Sequence, residues 1–286
     1  MNALYSIASI SKQGFRQYVD RRLRQQETEA QLLPVIRQIR ADHPKLSVRK
    51  MYWMVKPNGM GRDRFETFCL AQGFGVEVCR NDQRTTNSLG VPRFENLLLK
   101  MGELIDINQV WVSDITYFRI GERFYYLTFI MDRFSRCMIG YQASKSLLTE
   151  QTTLPALKQA IRTRKGQRIQ QVIIHSDGGG QYYCKKFLTL TARYKLKNSM
   201  AESVYENPHA ERVNGIIKNE YLVPYGPSSF QQLKRMLHKA VRLYNTERPH
   251  LALAYQTPIA FEQKNMTKKR NYPVVQSPKT VNLFQA

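Results

Sequence analysis

The sequence lacks any apolar run that approaches the ~20 residues of a membrane-spanning helix, and no basic amphipathic helix stands out as a membrane anchor. Residues 1–11 lack a basic start and a long apolar stretch, so we expect no secretory signal. These two absences disfavour membrane and secreted proteins. We therefore expect an intracellular protein that has no membrane partner.

Cysteine is scarce, and its spacing excludes the common metal and disulfide frameworks. The four cysteines, Cys69, Cys79, Cys137 and Cys184, lie far apart, and none forms a CxxC pair. The five histidines do not pair with them at zinc-finger spacing. We expect reduced cysteines in the core and no structural zinc.

Acidic residues are also few, which leaves a formal net charge of +22 on 286 residues. The excess is spread along the chain, because residues 1–100 carry 17 Lys/Arg against 9 acids and the remainder carries 27 against 13. A basic tail on a neutral body is therefore excluded. The positive electrostatic field of a protein with this net charge attracts polyanions. Because the sequence has no membrane signal, it indicates nucleic acid as the partner.

The N-terminal part is rich in Arg and Gln and has the pattern of helices. We predict helix over most of residues 1–42, then a helix over 46–55, a Lys-Pro-Asn-Gly breaker and a second helix over 62–72. This arrangement resembles a helix-turn-helix, in which Arg62 and Arg64 would meet DNA. An ordinary helical hairpin whose arginines face water is the alternative.

The rest of the chain predicts an α/β domain. Three strands form an antiparallel meander, and strands then alternate with helices, so we expect a mixed sheet with helices on both faces. We predict strands at 110–119, 124–132, 137–143, 172–176 and 196–200, and helices at 149–164, 183–194, 207–222 and 230–244. The predicted divisions are a helical region at 1–74, a linker at 75–105, a catalytic core with a C-terminal helix at 106–262 and a basic tail at 263–286.

Three carboxylates stand out as candidates for chemistry. Asp177 follows the β-branched run 172–174 and precedes three glycines, Asp114 lies in the first core strand, and Glu211 lies in the first turn of a helix. Asp177 is the single acid in residues 151–201, which hold ten Lys/Arg. Each acid could instead belong to a salt bridge or a turn, as we expect of Asp132.

Three converging carboxylates in a basic protein suggest metal-assisted phosphodiester chemistry. Two Mg²⁺ ions roughly 3.5–4 Å apart can activate the attacking oxygen and stabilise the leaving oxygen. Mg²⁺ needs only a few carboxylates besides water and substrate phosphate. If the first and fourth strands are neighbours, Asp114 and Asp177 can bridge one metal, and Glu211 would close the site.

Further candidates surround these acids. On the helix of Glu211, Asn214, Gly215 and Lys218 recur at offsets of three, four and seven and would share its face. Lys218 is a phosphate ligand in one interpretation and a solvated lysine in the other.

The remaining candidates are weaker. Arg212 would make a backbone contact or a salt bridge, and Lys185 and Lys186, at a helix start, are further candidates for DNA binding. His175 would either touch metal-bound substrate or, more often for such a position, pack at a strand end.

Several ordered motifs resemble one protein family. They are Asn108-Gln109-Val110-Trp111-Val112-Ser113-Asp114-Ile115-Thr116-Tyr117, Met131-Asp132-Arg133-Phe134-Ser135-Arg136, His175-Ser176-Asp177-Gly178-Gly179-Gly180-Gln181-Tyr182, Lys218-Asn219-Glu220, Tyr244-Asn245-Thr246-Glu247-Arg248-Pro249-His250 and Thr257-Pro258. Together they resemble the integrase-like transposases of bacterial insertion sequences, specifically the second-frame (OrfB-type) product of the insertion-sequence-three family. The resemblance is strong over residues 105–262 and weak over the helix-turn-helix.

The resemblance implies an RNase H-like fold and a DDE triad, carried onto Asp114, Asp177 and Glu211. It implies two Mg²⁺ ions, for which Mn²⁺ substitutes, water-driven cleavage of the 3′ ends of the element, and attack of the new 3′-OH on another phosphodiester. The implied partners are double-stranded DNA, as terminal inverted repeats and target, and a second copy of the chain, since two ends must be synapsed. The implied location is the bacterial cytoplasm at the nucleoid.

The chain departs from the family pattern just before its glutamate. The spacing from Asp177 to Glu211 is slightly shorter than usual, and the family's Asp-Asn-Ala is Glu206-Asn207-Pro208 here, which makes Glu206 a minor rival to Glu211. The helix-turn-helix and leucine-zipper segment of the family's first frame is not recognised in this sequence. We therefore expect dependence on the first-frame product or a fusion form.

Two alternatives to a transposase follow from the same residues. A DNA-binding regulator could retain the acids as relics, although an intact triad argues against it. A plain RNase H-like nuclease could cleave without joining strands, although the N-terminal DNA-binding segment and the positive charge disfavour it.

Overall fold

A computed structural model describes residues 10–77, 93–201 and 207–271, with side chains as far as residue 267. Within these ranges no helix is both long enough and apolar enough to cross a bilayer. The described residues group into two units. The first draws on residues 10–77, 118–125 and 212–243, and the second on residues 93–117, 126–201, 207–211 and 244–271.

The N-terminal part of the first unit is helical, as predicted. Its helices are α1 (Lys12–Asp42), α2 (Val48–Val55) and α3 (Arg62–Ala71). Ser11 caps α1, because its Oγ accepts a hydrogen bond from the Gly14 amide at 2.9 Å. The helix pair predicted around the Lys-Pro-Asn-Gly breaker is confirmed, whereas residues 1–9 lie outside the described ranges.

A small apolar core holds these three helices together. Ile36 of α1, Met51 of α2 and Phe65 of α3 are fully buried against one another. The chain leaves α2 through Lys56, whose φ of 45° is left-handed, and its amide donates to the Tyr52 carbonyl at 2.7 Å. The left-handed residue ends the helix and turns the chain towards α3.

A five-stranded mixed sheet forms the centre of the second unit, which confirms the predicted α/β fold. The strands are β1 (Val110–Ile120), β2 (Arg123–Asp132), β3 (Met138–Ser144), β4 (Ile173–Ser176) and β5 (Lys197–Met200). Their order is β3-β2-β1-β4-β5. β2 and β3 are antiparallel, whereas β4 runs parallel to both β1 and β5.

Helices pack on this sheet through a second apolar core. The helices that follow β3 and β4 are α4 (Thr153–Thr163) and α5 (Lys185–Arg193). Trp111, Leu157 and Phe187 are buried in this core. Gly140 of β3 lies so close to α4 that a Cβ at this position would stand 2.3 Å from the carbonyl oxygen of Ala156.

The C-terminal helices differ from the prediction in their winding. They are α6 (Pro208–Gly215), a π-helix (Ile216–Leu222), the short α7 (Val223–Tyr225), α8 (Phe230–Thr246) and α9 (Pro258–Asn271). The sequence predicted one regular helix over residues 207–222. The helical run is real, but its second half widens into the i→i+5 pattern of a π-helix.

The described cysteines are free thiols. Cys69 and Cys137 are buried and Cys184 is partly exposed, while Cys79 lies outside the described residues. Burial raises the pKa of Cys69 to about 11, so its thiol stays protonated at neutral pH.

A buried ion cluster joins the end of β2, the end of α4 and α9. Arg164 is 3% exposed, and its guanidinium donates to both carboxylate oxygens of Glu262, at 2.7 and 2.5 Å. The same guanidinium lies 3.6 Å from Asp132, which is fully buried and accepts the backbone amides of Asn108 at 2.7 Å and Ser135 at 3.1 Å. The reading of Asp132 as a turn residue and an arginine partner is confirmed.

We expect Arg164→Ala to lower the free energy of unfolding by ~3–5 kcal/mol, because it leaves Asp132 and Glu262 buried without their cation. Urea denaturation followed by circular dichroism measures this loss. Arg162→Ala, two residues earlier on the same helix and exposed, is the matched control and should cost under ~0.5 kcal/mol. Equal midpoints for the two variants would contradict the assignment.

Candidate active site

The parallel pairing of β1 and β4 brings two of the predicted acids near each other at the carboxyl end of β4. Val110, Trp111 and Val112 pair with Ile173, Ile174 and His175 in register. Asp114 and Asp177 each lie two residues beyond the last of these pairs. Because neighbouring strands lie ≈4.8 Å apart, this register brings the segments that carry the two acids next to each other where β4 ends.

Tyr182 lies between the segments that carry the two acids, since its hydroxyl is 2.9 Å from Ser113 Oγ, in the residue before Asp114. Its side chain is buried, and burial together with the negative charges of Asp177 and Asp114 raises the pKa of this phenol well above its ordinary value. A single phenol therefore lies within electrostatic range of both acids. Its hydroxyl stays protonated.

Asp177 lies in a tight loop after β4. Its Oδ1 accepts the Gly179 amide at 3.2 Å, and a Cβ on Gly179 would stand only 3.1 Å from the same oxygen. Gly179 has a φ of −63°, so glycine is favoured here by lack of space rather than by a left-handed backbone. Burial raises the pKa of Asp177, while the hydrogen bond from Gly179 opposes this shift.

Glu211 lies in the first turn of α6, as predicted, and its side chain is exposed. Partial burial raises the pKa of this carboxyl group. Among the described residues, no three His, Cys, Asp or Glu side chains lie close enough to hold a metal ion. The structure therefore brings Asp114 and Asp177 together without assembling a three-carboxylate group, and Glu206 lies outside the described ranges.

The two aspartates fit a divalent cation. Mg²⁺ is commonly held by one or two carboxylates, with water and substrate phosphate completing its octahedron. A dication beside Asp177 would stabilise the ionised form that burial disfavours. The donor chemistry therefore matches the predicted ion, although the number of ions stays a prediction.

Three of the predicted DNA-binding residues already face surface carboxylates. Arg62 lies 2.7 Å from Asp63, and Arg64 lies 3.7 Å from Glu29. Lys186 pairs with Glu150 at 2.6 Å, and its neighbour Lys185 is exposed. Such exposed pairs contribute little to stability, so a phosphate can replace the carboxylate at small cost.

The π-helix changes the argument for Lys218. The shared face predicted for Asn214, Gly215 and Lys218 assumed regular winding as far as Lys218, and this no longer follows because the π-helix begins at Ile216. Lys218 is half-buried, and burial lowers its pKa. Arg212 is exposed and Asn214 is buried on the preceding α-helical turns.

His175 is fully buried with its Nδ1 3.0 Å from Ser199 Oγ, which is the packed strand-end arrangement.

Sequence reasoning missed the residues that support the acids. These are Ser113, Tyr182 and Asn207, which connect the segments that carry the acids. All three lie within sequence segments named above, but no local pattern indicates the bonds between them.

Comparison with known proteins finds an integrase core. Residues 107–204 match one family described as "Integrase core domain", and residues 192–258 match a second family of the same description. The chain is 30% identical over 222 residues to "Insertion element IS600 uncharacterized 31 kDa protein" of Shigella sonnei, covering 76% of this chain and 80% of that protein.

A second curated relative is "Transposase InsF for insertion sequence IS3A" of Escherichia coli strain K12. The identity is 32% over 180 residues, and the match spans 62% of each protein. Among solved structures, a chain of the simian T-cell lymphotropic virus intasome in complex with PP2A regulatory subunit B56 gamma matches with a TM-score of 0.51. That match covers 84% of this chain and 78% of the other at 16% identity, so it supports the fold alone.

We expect Asp177→Asn to raise the thermal unfolding midpoint of the metal-free protein. At neutral pH the folded state holds an ionised carboxylate that burial disfavours, whereas the asparagine amide is neutral and its oxygen can still accept the Gly179 amide. Because the folded pKa is raised, the penalty is present above that pKa and disappears as the pH falls towards the unfolded value. The advantage of the variant should therefore shrink on acidification.

Differential scanning fluorimetry between pH 4 and pH 8 measures this difference in chelator-treated protein. Glu103→Gln removes an exposed acid from the same unit and should leave the midpoint unchanged at every pH. An Asp177→Asn variant that is less stable than wild type at neutral pH would show that the carboxylate stabilises the empty site.

Proposed function

The chain belongs to the insertion-sequence-three family of transposases, which carry an integrase core domain, and we propose that Asp114, Asp177 and Glu211 are its catalytic residues. The observation that carries the proposal is the register of β1 with β4, which sets Asp114 beside Asp177. The activity of this family is metal-dependent polynucleotidyl transfer on DNA. Glu211 completes the proposed triad from the first turn of α6.

Asp114 and Asp177 would hold the metal through their oxygens, with Glu211 as a further ligand. When bound, two Mg²⁺ ions, or Mn²⁺ in their place, supply activation of the attacking oxygen and stabilisation of the charge that develops on the phosphodiester. The chain keeps both aspartates within electrostatic range of a buried, neutral phenol.

The proposed reaction has two steps that share one site. In the first, water attacks the phosphorus at the element end, and the bond from phosphorus to the 3′ oxygen breaks, leaving a 3′-OH. In the second, that 3′-OH attacks a phosphodiester of another strand, so one P–O bond forms as another breaks. The second step needs no external energy source because the number of phosphodiester bonds is conserved.

DNA contacts are proposed for the basic and polar residues outside the acids. These are Arg62, Arg64, Lys185, Lys186, Arg212, Asn214 and Lys218. We propose the helical region 1–74 for terminal inverted repeats, 75–105 as linker, 106–262 as catalytic core and 263–286 as basic tail. The proposed assembly is a homodimer or larger on DNA in the bacterial cytoplasm at the nucleoid, with the first-frame product of the element as a further partner.

A strand-cleavage and joining assay with Mg²⁺ and labelled element-end DNA tests the function. We expect wild type to produce both a nicked 3′ end and a product joined to target DNA. Asp114→Asn, Asp177→Asn and Glu211→Gln should each reduce both products to background while binding of the same DNA persists, because each removes a metal ligand and leaves the positive charge of the protein unreduced. Glu103→Gln is the matched control and should stay active.

The other outcomes discriminate between the alternatives. Cleavage without joining would indicate a nuclease. DNA binding without either product, also in the presence of the first-frame product, would indicate a regulator. Full activity of Glu211→Gln would remove Glu211 from the triad and direct attention to Glu206.

The DNA-binding proposal makes a separate prediction for Arg64. Arg64→Gln should weaken binding of end DNA and reduce the slope of log K against log salt by ~1, since each phosphate contact releases about one counterion. Fluorescence anisotropy at several salt concentrations measures the slope. Arg119→Gln removes another exposed arginine that pairs with a carboxylate, Glu122 at 3.0 Å, and should leave the slope unchanged. An identical slope for Arg64→Gln and wild type would refute the contact.

A further inference from the structure

Ser113, the residue before Asp114, lies at the centre of a buried hydrogen-bond cluster. It is fully buried, and its hydroxyl donates to the Phe129 carbonyl of the neighbouring strand at 2.9 Å. The same oxygen lies 2.9 Å from the hydroxyl of Tyr182. A serine hydroxyl has one proton, so Tyr182 must be the donor of the second bond.

Tyr182 anchors the loop that carries Asp177. Its amide donates to the Gly179 carbonyl at 3.0 Å, and the Gly179 amide in turn donates to Asp177. Its ring packs edge-to-face on Phe187 of α5 at a centroid distance of 5.6 Å. The bond from its hydroxyl to Ser113 therefore connects the loop of Asp177 directly to the strand of Asp114.

Asn207 connects Glu211, the third acid, to Ser113. Its side-chain nitrogen donates to the Ser113 carbonyl oxygen at 3.1 Å, and its side chain is 5% exposed. The backbone carbonyl of Asn207 accepts the Glu211 amide at 3.3 Å, and this bond starts α6, the helix of Glu211. Ser113 is thus bonded through its side chain to the segment of Asp177 and through its backbone to the segment of Glu211.

We propose that Ser113, Tyr182 and Asn207 form a positioning node that sets the spacing of the three carboxylates for a small octahedral cation. The proposal rests on the catalytic assignment above. None of the three is a catalytic residue. Tyr182 acts on the spacing between Asp114 and Asp177, whereas Asn207 acts on the placement of Glu211, so the two arms of the node have separable effects.

Tyr182→Phe tests the first arm, because it removes one hydroxyl and retains the ring that packs on Phe187. We expect the Mg²⁺ concentration for half-maximal thermal stabilisation, and that for half-maximal cleavage, to rise about tenfold, as is typical when a supporting contact of a metal site is lost. Ca²⁺ accepts irregular geometry, so its half-maximal concentration for thermal stabilisation should change little. Cleavage at saturating Mg²⁺ should approach that of wild type.

Tyr183→Phe is the matched control, because it removes a hydroxyl from the next residue, whose ring instead faces the Arg93 guanidinium at 4.4 Å. It should behave as wild type with both ions. A Tyr182→Phe variant that matches this control with Mg²⁺ would overturn the proposal. Equal shifts for Mg²⁺ and Ca²⁺ would also overturn it, since they would reflect general loss of the site rather than of its spacing.

Asn207→Ser tests the second arm. Serine is also favoured at helix starts but is too short to replace the bond to the Ser113 carbonyl. We expect Mg²⁺-induced stabilisation to persist while cleavage at saturating Mg²⁺ falls about a hundredfold, because a misplacement of about 1 Å has effects of that size. Wild-type cleavage by this variant would exclude the second arm. Wild type that binds DNA but stays inactive with Mg²⁺ and the first-frame product would instead refute the catalytic assignment, so the two failures are distinguishable.

Discussion

The chemistry proposed for this chain depends on the parallel pairing of β1 with β4. Asp114 and Asp177 are distant in sequence, and only the register of Val112 opposite His175 makes them neighbours. A slip of one residue would turn one carboxylate to the opposite face of the sheet, because side chains alternate along a strand. The apolar residues Trp111 and Ile174 therefore serve the site as well as the core, since their burial fixes that register.

Burial of a carboxylate at the candidate site lowers local stability, and a buried ion cluster elsewhere in the second unit is stabilising. Burial disfavours the ionised form of Asp177, and a buried phenol lies close to it instead of a cation. Arg164, a buried arginine of the second unit, is bonded to Glu262 and lies near Asp132 at the end of β2. Asp132 and Glu262, which have a structural role, thus share a protein cation, whereas the pair proposed as catalytic is expected to bind a metal, a division typical of functional sites.

Much of the fold could be predicted from the sequence, and so could the closeness of the segments that carry Asp114 and Asp177, because both follow from local patterns. The β-branched run before Asp177 and the alternating residues around Asp114 gave strands close to the observed bounds. The π-helix from Ile216 could not be predicted, since its residues have ordinary helical composition. The bonds of Ser113 to Tyr182 and Asn207 were also missed, because they join segments 69 and 94 residues apart and no local pattern encodes them.

The contact at Gly140 shows that a position can be intolerant of substitution without taking part in the reaction. A methyl group at this position would meet the backbone oxygen of Ala156, and a main-chain atom cannot rotate away as a side chain can. The sheet and α4 would have to separate, which would disturb the layer on which β1 and β4 rest. In a saturation library selected for activity, position 140 should therefore be as strongly depleted of variants as the aspartates. A map of tolerated residues alone would mistake this backbone contact for part of the active site.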